Sequence, residues 1–310
     1  MGSDLIPILD AEFEELPLAQ AARGESLPIP PQADGDDHLV DMWVQRSNSE
    51  QTRRKYRAEA ARFRAFVGKP LPIVRLGDLQ AYLASLEGKA PATRANATAS
   101  MKSLFSFAQE IGYVRFNIGK GVKAPPVKNV LAERILSEPD AQRMVLLEPV
   151  IRNRALLTVL YGGGLRISEV CGLRWRDMAE RDQAGQATVY GKGGKTRFVL
   201  LSTNTWKLLA ALRAELPAPP KPDAPVFLSL RGGALDASQV HRIVKAAAER
   251  AGLPADVSAH WLRHAHASHA LDRGAPVHLV QQTLGHASLS TTSKYTHARP
   301  SESSARFLGI

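Results

Sequence analysis

The sequence of 310 residues predicts a mainly α-helical protein of two domains, the second interrupted by one small antiparallel β element. Three observations lead there. Apolar residues recur at helical spacing through most of residues 47–123 and again beyond residue 137. A Pro125-Pro126 pair, with Lys123 and Lys128 around it, separates the two regions as a basic linker. Strand-like patterning is confined to residues 187–201, where a Gly193-Gly194 turn splits it into a hairpin. The length agrees, since roughly 100 to 200 residues per domain leaves room for two cores.

In chain order, residues 1–37 combine acids with Pro17, Pro28, Pro30 and Pro31 and lack either periodicity. They read as an acidic arm, disordered or reserved for a protein partner. Residues 38–123 form the first helical domain. Ser47 and Glu50 predict a capping box ahead of a helix whose stripe, Tyr56, Ala60, Phe63 and Val67, ends at Gly68 and Pro70. Its other face carries Arg53, Arg54, Lys55, Arg57, Arg62 and Arg64, a density of cations that favours DNA contact over a merely solvated face. Stripes at Leu79, Tyr82, Leu83 and Leu86, then at Leu104, Phe107, Ala108 and Ile111, complete a small bundle. Residues 124–134 are the linker and 135–310 the second domain, which opens its helices at Ser137-Glu138-Pro139-Asp140. The hairpin pairs 187–190 with 197–201 and carries Lys192 at its bend; helices resume at 205–215, 238–251 and 259–272.

Charge narrows the partner. The whole chain is +10, but residues 1–40 hold nine Asp or Glu against one Arg, and the remaining 270 carry 39 Lys or Arg against 21 acids. A body near +18 suits a polyanion, because each neutralised phosphate releases counterions. No apolar run approaches the ~18 residues that span a bilayer, and the N-terminus is acidic where a secretion signal is basic. The single cysteine, Cys171, has no partner for an internal disulfide and sits in the apolar context Val170-Cys171-Gly172-Leu173, which predicts a buried inert thiol and a reducing cytoplasm.

Three segments concentrate polar chemistry. In Gly162-Gly163-Gly164-Leu165-Arg166-Ile167-Ser168-Glu169, glycines ahead of a helix allow close approach to a ligand, and an arginine in the first turn favours an anion. A Gly-rich turn closed by an Arg166 to Glu169 ion pair is the competing reading. In Gly191-Lys192-Gly193-Gly194-Lys195-Thr196 a nucleotide-binding P-loop fails on spacing, since Val189 stands where a glycine is needed and a strand pattern follows. In His260-Trp261-Leu262-Arg263-His264-Ala265-His266 the three-residue spacing of His260 and Arg263 places both on one helix face, suited to two oxygens of a phosphate. His264 follows His260 by four, a zinc-like spacing, but no acid or cysteine among them completes a ligand set, and no metal is expected. His266 and His269 read as packing or surface residues.

Taken together, Arg166, Lys192, His260, Arg263, His286 and Tyr295 occur in an order and spacing that resembles the tyrosine recombinases, or phage integrase family. His260-Trp261-Leu262-Arg263-His264 is similar to the family's His-x-x-Arg box. Leu284-Gly285-His286-Ala287-Ser288, followed by Thr291-Thr292-Ser293-Lys294-Tyr295-Thr296-His297, looks like its nucleophile segment, with Tyr295 nine residues after His286. The resemblance spans about residues 38–310, rests on helical pattern alone before residue 125, and is nearest to compact Xer and to integron or transposon recombinases. Two features depart from it: the acidic arm is longer than in a minimal Xer-like enzyme, and only fifteen residues follow Tyr295. Phe307, Leu308 and Ile310 in that tail suit docking on a neighbouring protomer and a packed or frayed terminus equally.

The resemblance implies a helical core-binding domain and a mainly helical catalytic domain with a small antiparallel β-sheet, together forming a C-shaped clamp around duplex DNA. It implies site-specific cutting and rejoining through a 3′-phosphotyrosine on Tyr295, without metal, ATP or other cofactor. Arg166 and Arg263 would clamp the non-bridging oxygens, and His260 and His286 would complete the cage, one histidine taking the Tyr295 proton. Lys192 would protonate the leaving 5′ oxygen, with Lys195 its neighbouring competitor. Glu169 would orient the arginines, with His264 or Trp261 buttressing them. The implied partners are double-stranded target sites and the protein itself, as a tetramer in the synaptic complex and a monomer or dimer without DNA, in a bacterial, nucleoid-associated setting. Two alternatives stand beside this: a DNA-binding accessory protein with a vestigial catalytic set, and a topoisomerase-like relaxing enzyme.

Overall fold

A computed structural model describes residues 32–126, 131–191, 194–286, 292 and 295. Two compact units divide between Val127 and Lys128. The arm up to residue 31, Lys192 and the tail beyond Tyr295 lie outside the described residues.

The first unit is built from four helices, α1 (Asp36–Gln45), α2 (Glu50–Val67), α3 (Leu76–Ser85) and α4 (Pro91–Glu110). Each gives an apolar stripe to one core: Leu39 and Trp43 from α1, Ala60 and Phe63 from α2, Leu79 and Tyr82 from α3, and Met101, Leu104 and Phe105 from α4. Trp43 stacks on Tyr56 at 4.1 Å and donates its indole N–H to Ser103 Oγ at 3.0 Å, so its polar end is satisfied inside the bundle. The cap of α2 corrects the sequence expectation. Ser49, not Ser47, accepts from the Thr52 N–H, because Ser47 Oγ is already taken by the Ser49 N–H in the turn before the helix. Gly68 ends α2 in the left-handed conformation, φ 62°, as its sequence position suggested. Helix α1 begins inside what the composition assigned to the arm. Asp36 accepts from Tyr113 Oη at 2.7 Å and from the Leu71 N–H, tying the first turn of α1 to both following segments.

The second unit runs α5 (Glu138–Leu146), α6 (Ile151–Gly162), α7 (Ile167–Gly172), β1 (Met178–Arg181), β2 (Ala184–Tyr190), β3 (Thr196–Leu201), α8 (Thr203–Ala214), α9 (Ala237–Arg250), α10 (Ala259–Asp272) and α11 (Val277–Leu284). Helix α6, with Leu156, Leu157, Val159 and Leu160 all buried, is central and packs against α5, α8 and α10. The strands form an antiparallel meander in the order β1-β2-β3, with Met178 opposite Ala187 and Gly185 opposite Leu201. Asp182 and Gln183, both at positive φ, make the two-residue turn between β1 and β2, whose twist matches the strands. The inward face of the hairpin places Ala187, Val189, Val199 and Leu201 in the core, and Arg197 stands in phase with them on β3. The family's expectation of mainly helical domains with a small antiparallel sheet is what the chain forms.

Candidate active site

The site is organised by the end of one short helix. The last turn of α11 leaves carbonyls without intrahelical partners, and the helix dipole makes that end partly negative. Three arginines from three elements answer it in sequence. Arg197 on β3 donates Nε to Thr283 O at 2.7 Å, Arg263 on α10 donates to Leu284 O at 2.6 Å, and Arg166, at the start of α7, donates to Gly285 O at 3.2 Å. Gly285 sits at φ 63°, a conformation L side chains rarely adopt, and a Cβ there would press on Arg197 at 3.1 Å, so glycine suits the turn that delivers His286 over the guanidinium. Arg263 is 2% exposed and also donates to Gly164 O, which explains one use of the glycine run: Gly164, at φ 60°, turns its carbonyl toward the arginine.

Among the described residues, Glu169 is the one carboxylate that bonds these arginines. Its Oε1 accepts from Arg166 and Arg197 and its Oε2 from the Arg166 backbone N–H and Arg197, all between 2.7 and 2.8 Å. Burial pushes its carboxyl up, but hydrogen bonds from Arg197 and the Arg166 backbone outweigh that and hold it at about 2. Three guanidinium charges therefore meet one full negative charge and a helix end. Burial, then repulsion from Arg166, lowers Arg263 to about 10, which leaves it protonated at neutral pH. Such a cluster is a site for an anion.

The histidines and Tyr295 gather beside it. Tyr295 Oη lies 2.7 Å from His264 Nδ1, and its ring runs parallel to that of His286 at 6.3 Å. His264 in turn packs edge-on against His260 at 4.5 Å. His286 Nδ1 is held by Thr292 Oγ1 at 2.9 Å, and Thr292 is fully buried. Burial, followed by His260 and Arg263, drives His264 down to about 3; burial, followed by Arg263 and Arg166, drives His286 down to about 4. Burial raises Tyr295 above its ordinary range against the opposing pull of Arg263 and Arg166. At neutral pH the phenol is protonated and both histidines are neutral. A polar cleft of about 250 Å³ opens beside them, bordered by Arg134, Asp256, Ser258, His260, Trp261 and His264.

Of the residues singled out in the sequence, Arg166, Glu169, His260, Arg263, His264, His286 and Tyr295 thus come together. Arg166 caps α7 and does not lie within its first turn. Lys192 lies outside the described residues; Lys195 is exposed, and its carbonyl closes the hairpin on the Gly191 N–H at 2.8 Å. Most cations on the basic face of α2 are paired, though Arg54, Lys55, Arg57 and Arg62 stay exposed. Arg54 bonds Glu50, Arg57 pairs with Asp41, Arg62 with Glu59, Arg64 with Asp36 and Asp37, and Arg53 donates to Ser47 O, while Lys55 has no acidic partner among the described residues. Cys171 is half-buried rather than enclosed. His266 donates Nδ1–H to Tyr161 O at 2.8 Å and His269 bonds the Tyr161 hydroxyl at 2.9 Å, both as packing residues under the site. Sequence reasoning missed Arg197 and Thr292. For Arg197 a signal existed: a charge on the core-facing phase of a strand requires a buried counter-charge.

Comparison with known proteins places the chain in a family. The description "Phage integrase family" matches residues 132–302, and "Phage integrase, N-terminal SAM-like domain" matches residues 36–111. The tyrosine recombinase XerC of Myxococcus xanthus is 36% identical over 281 residues, covering 84% of this chain and 90% of that protein. XerC of Brucella suis biovar 1 is 34% identical over 291 residues, covering 86% and 92%. Among solved structures, XerH bound to difH substrate has a TM-score of 0.69 at 22% identity, covering 87% of this chain and 81% of that one. A lambda integrase (75-356) dimer bound to a COC' core site has a TM-score of 0.70 at 19% identity, covering 87% and 98%. These two likenesses speak to the fold. Fold, convergent site and relatives define a tyrosine-type site-specific DNA recombinase. The chain belongs to the phage integrase family.

Proposed function

We propose that Tyr295 attacks a phosphodiester of duplex DNA held by Arg166 and Arg263, forming a 3′-phosphotyrosine and releasing a 5′ hydroxyl. The observation that carries this reading is the convergence of three arginines on one carboxylate and one helix end, with a buried tyrosine hydroxyl beside them. A phosphate anion repels nucleophiles, so its charge must be offset before a phenol can attack, and planar guanidinium forks suit that task. Burial depresses His264 and His286 most, and arrival of the phosphate offsets the part of the lowering that the arginines add. The histidines' basicity rises as the substrate binds, and one of them takes the phenol proton. The O–P bond to Tyr295 forms as the bond to the 5′ oxygen breaks. Lys192 supplies the proton to that oxygen, and His260 completes the phosphate cage. The covalent link conserves the bond energy, so a 5′ hydroxyl from a second duplex reverses the step and rejoins strands without ATP.

Relatives are described as bound to substrate DNA, and one as a lambda integrase tetramer bound to a Holliday junction. DNA and further copies of the chain are accordingly the partners here, with a tetramer as the synaptic form and a monomer or dimer without DNA. Residues 36–123 supply the DNA-binding unit, through the α2 face among others, 124–134 the linker and 135–310 the chemistry; the acidic arm ahead of α1 is left for a protein partner.

The test uses a pool of nicked duplexes with randomised arms, incubated with the protein and then denatured. The unaltered protein retains a covalent DNA adduct and Tyr295→Phe retains none; an equal yield from both contradicts the assignment. For the lysine, a 5′-bridging phosphorothioate, whose leaving thiolate needs no proton, restores cleavage to Lys192→Ala. Rescue of Lys195→Ala in its place moves the role to Lys195.

A further inference from the structure

Arg197 belongs to none of the motifs that mark the site, yet it is more deeply engaged there than Arg166. Its side chain is 12% exposed against 36% for Arg166. Its two terminal nitrogens take both oxygens of Glu169 at 2.8 Å, a two-bond fork, while Arg166 reaches the same carboxylate with one side-chain nitrogen. An arginine facing a carboxylate prefers the two-bond arrangement, which is short, parallel and charge-assisted. Arg166 is three residues from Glu169, on the same turn, and would adopt that fork if the carboxylate were open to it. Arg197 also holds Thr283 O, one residue pair ahead of the turn that delivers His286.

We propose that Arg197 is a positioning residue for DNA cleavage: by occupying both oxygens of Glu169 it limits Arg166 to a single side-chain bond to that carboxylate and keeps it from the two-bond fork, and by holding the end of α11 it sets His286. This rests on the reading of Arg166 as a phosphate clamp. Removing Arg197 leaves Glu169, buried at 3% exposure, with Arg166 as its remaining side-chain partner. A buried carboxylate demands compensation, so Arg166 turns inward and its charge is spent before DNA arrives. Removing the carboxylate's charge as well releases Arg166 again. A purely structural role for Arg197 gives the opposite expectation, since losing a second member of a buried network only adds damage.

The experiment measures adduct formation on a nicked duplex isolated from the randomised pool by covalent capture on the unaltered protein. Rate at saturating DNA and half-saturating DNA concentration are taken separately for Arg197→Ala, Arg197→Lys and Arg197→Ala with Glu169→Gln, alongside thermal melting. Arg197→Ala slows the saturated rate by roughly tenfold to a hundredfold with less than about a threefold change in half-saturation. Arg197→Lys stays slow, because an ammonium makes no parallel fork. The double variant is faster than Arg197→Ala alone by about tenfold. Where Arg197→Ala does not fold, Arg197→Gln with and without Glu169→Gln carries the same comparison. An Arg197→Ala rate equal to that of the unaltered protein, or a double variant no faster than the single one, overturns the proposal. Absence of any adduct from the unaltered protein overturns the reading of Arg166 and Tyr295 beneath it, and this proposal with it.

Discussion

His266 illustrates how the site's floor is paid for in proton binding. It is half-buried and donates its Nδ1–H to Tyr161 O. Burial lowers it to about 4, although the hydrogen bond to the carbonyl favours the charged ring. In the unfolded chain a histidine titrates near ~6.5. Between those two values only the unfolded chain binds the proton, so stability falls as pH is lowered through that window. His264 and His286, lowered to about 3 and about 4, act in the same direction. Glu169, held at about 2, adds a further loss as pH drops from the ordinary carboxyl range toward 2, where the folded carboxylate must at last take its proton. The expected outcome is a melting temperature that declines from pH 6.5 to 4, more shallowly in His266→Asn. An unchanged slope in that variant contradicts the assignment of His266 as a half-buried neutral ring.

At the scale of elements, two glycines separate folding from chemistry. A Cβ at Gly185 would lie 2.2 Å from Trp206 Cε3, so Gly185→Ala forces β2 away from α8 at its Leu201 pairing, the opposite end of the β2–β3 ladder from the hairpin bend. It should cost about 1–3 kcal/mol of stability and leave cleavage per folded molecule unchanged. Gly164→Ala meets His266 and Leu284 at 2.8 Å, at φ 60°, and displaces the carbonyl that Arg263 holds. Melting and saturated cleavage rate should fall together there. If Gly164→Ala cleaves normally at a temperature where it is folded, the Gly164 carbonyl does not seat Arg263. Much of this architecture was legible in the sequence because α2, α3 and α4 each present an apolar stripe at helical spacing. Helix α1 was not, because Asp36 and Asp37 continue the acidic composition of the arm and hide the stripe of Leu39, Val40, Trp43 and Val44. Strand β1 was not either: it is four residues long and mostly exposed, so no alternation marks it. Arg166, His260, Arg263, His286 and Tyr295 were found through their combined spacing. Arg197 and Thr292 were missed because their importance lies in partners distant in sequence, Glu169 and Thr283 for the first, and in complete burial beside His286 for the second.

At the scale of the whole chain, no helix among the described residues is long and apolar enough to cross a membrane. Beyond residue 40 the chain carries 39 Lys or Arg against 21 acids, a balance that suits a polyanion. The useful boundary of the acidic arm is set by Asp36, which accepts from Tyr113 and from the Leu71 N–H and pairs with Arg64 at 3.7 Å. Removal of residues 1–31 is expected to leave both melting and adduct formation as they are, whereas removal of 1–37 lowers the melting temperature by unpinning α1. Equal melting of the two truncated chains contradicts that role for Asp36. The central claim is that Tyr295 carries the DNA. Its most direct test is to form the adduct, digest the DNA with nuclease and the protein with protease, and locate the retained nucleotide by tandem mass spectrometry. A nucleotide joined through its 3′ phosphate to the Tyr295 oxygen is the predicted result; attachment at another residue, or through a 5′ phosphate, contradicts it.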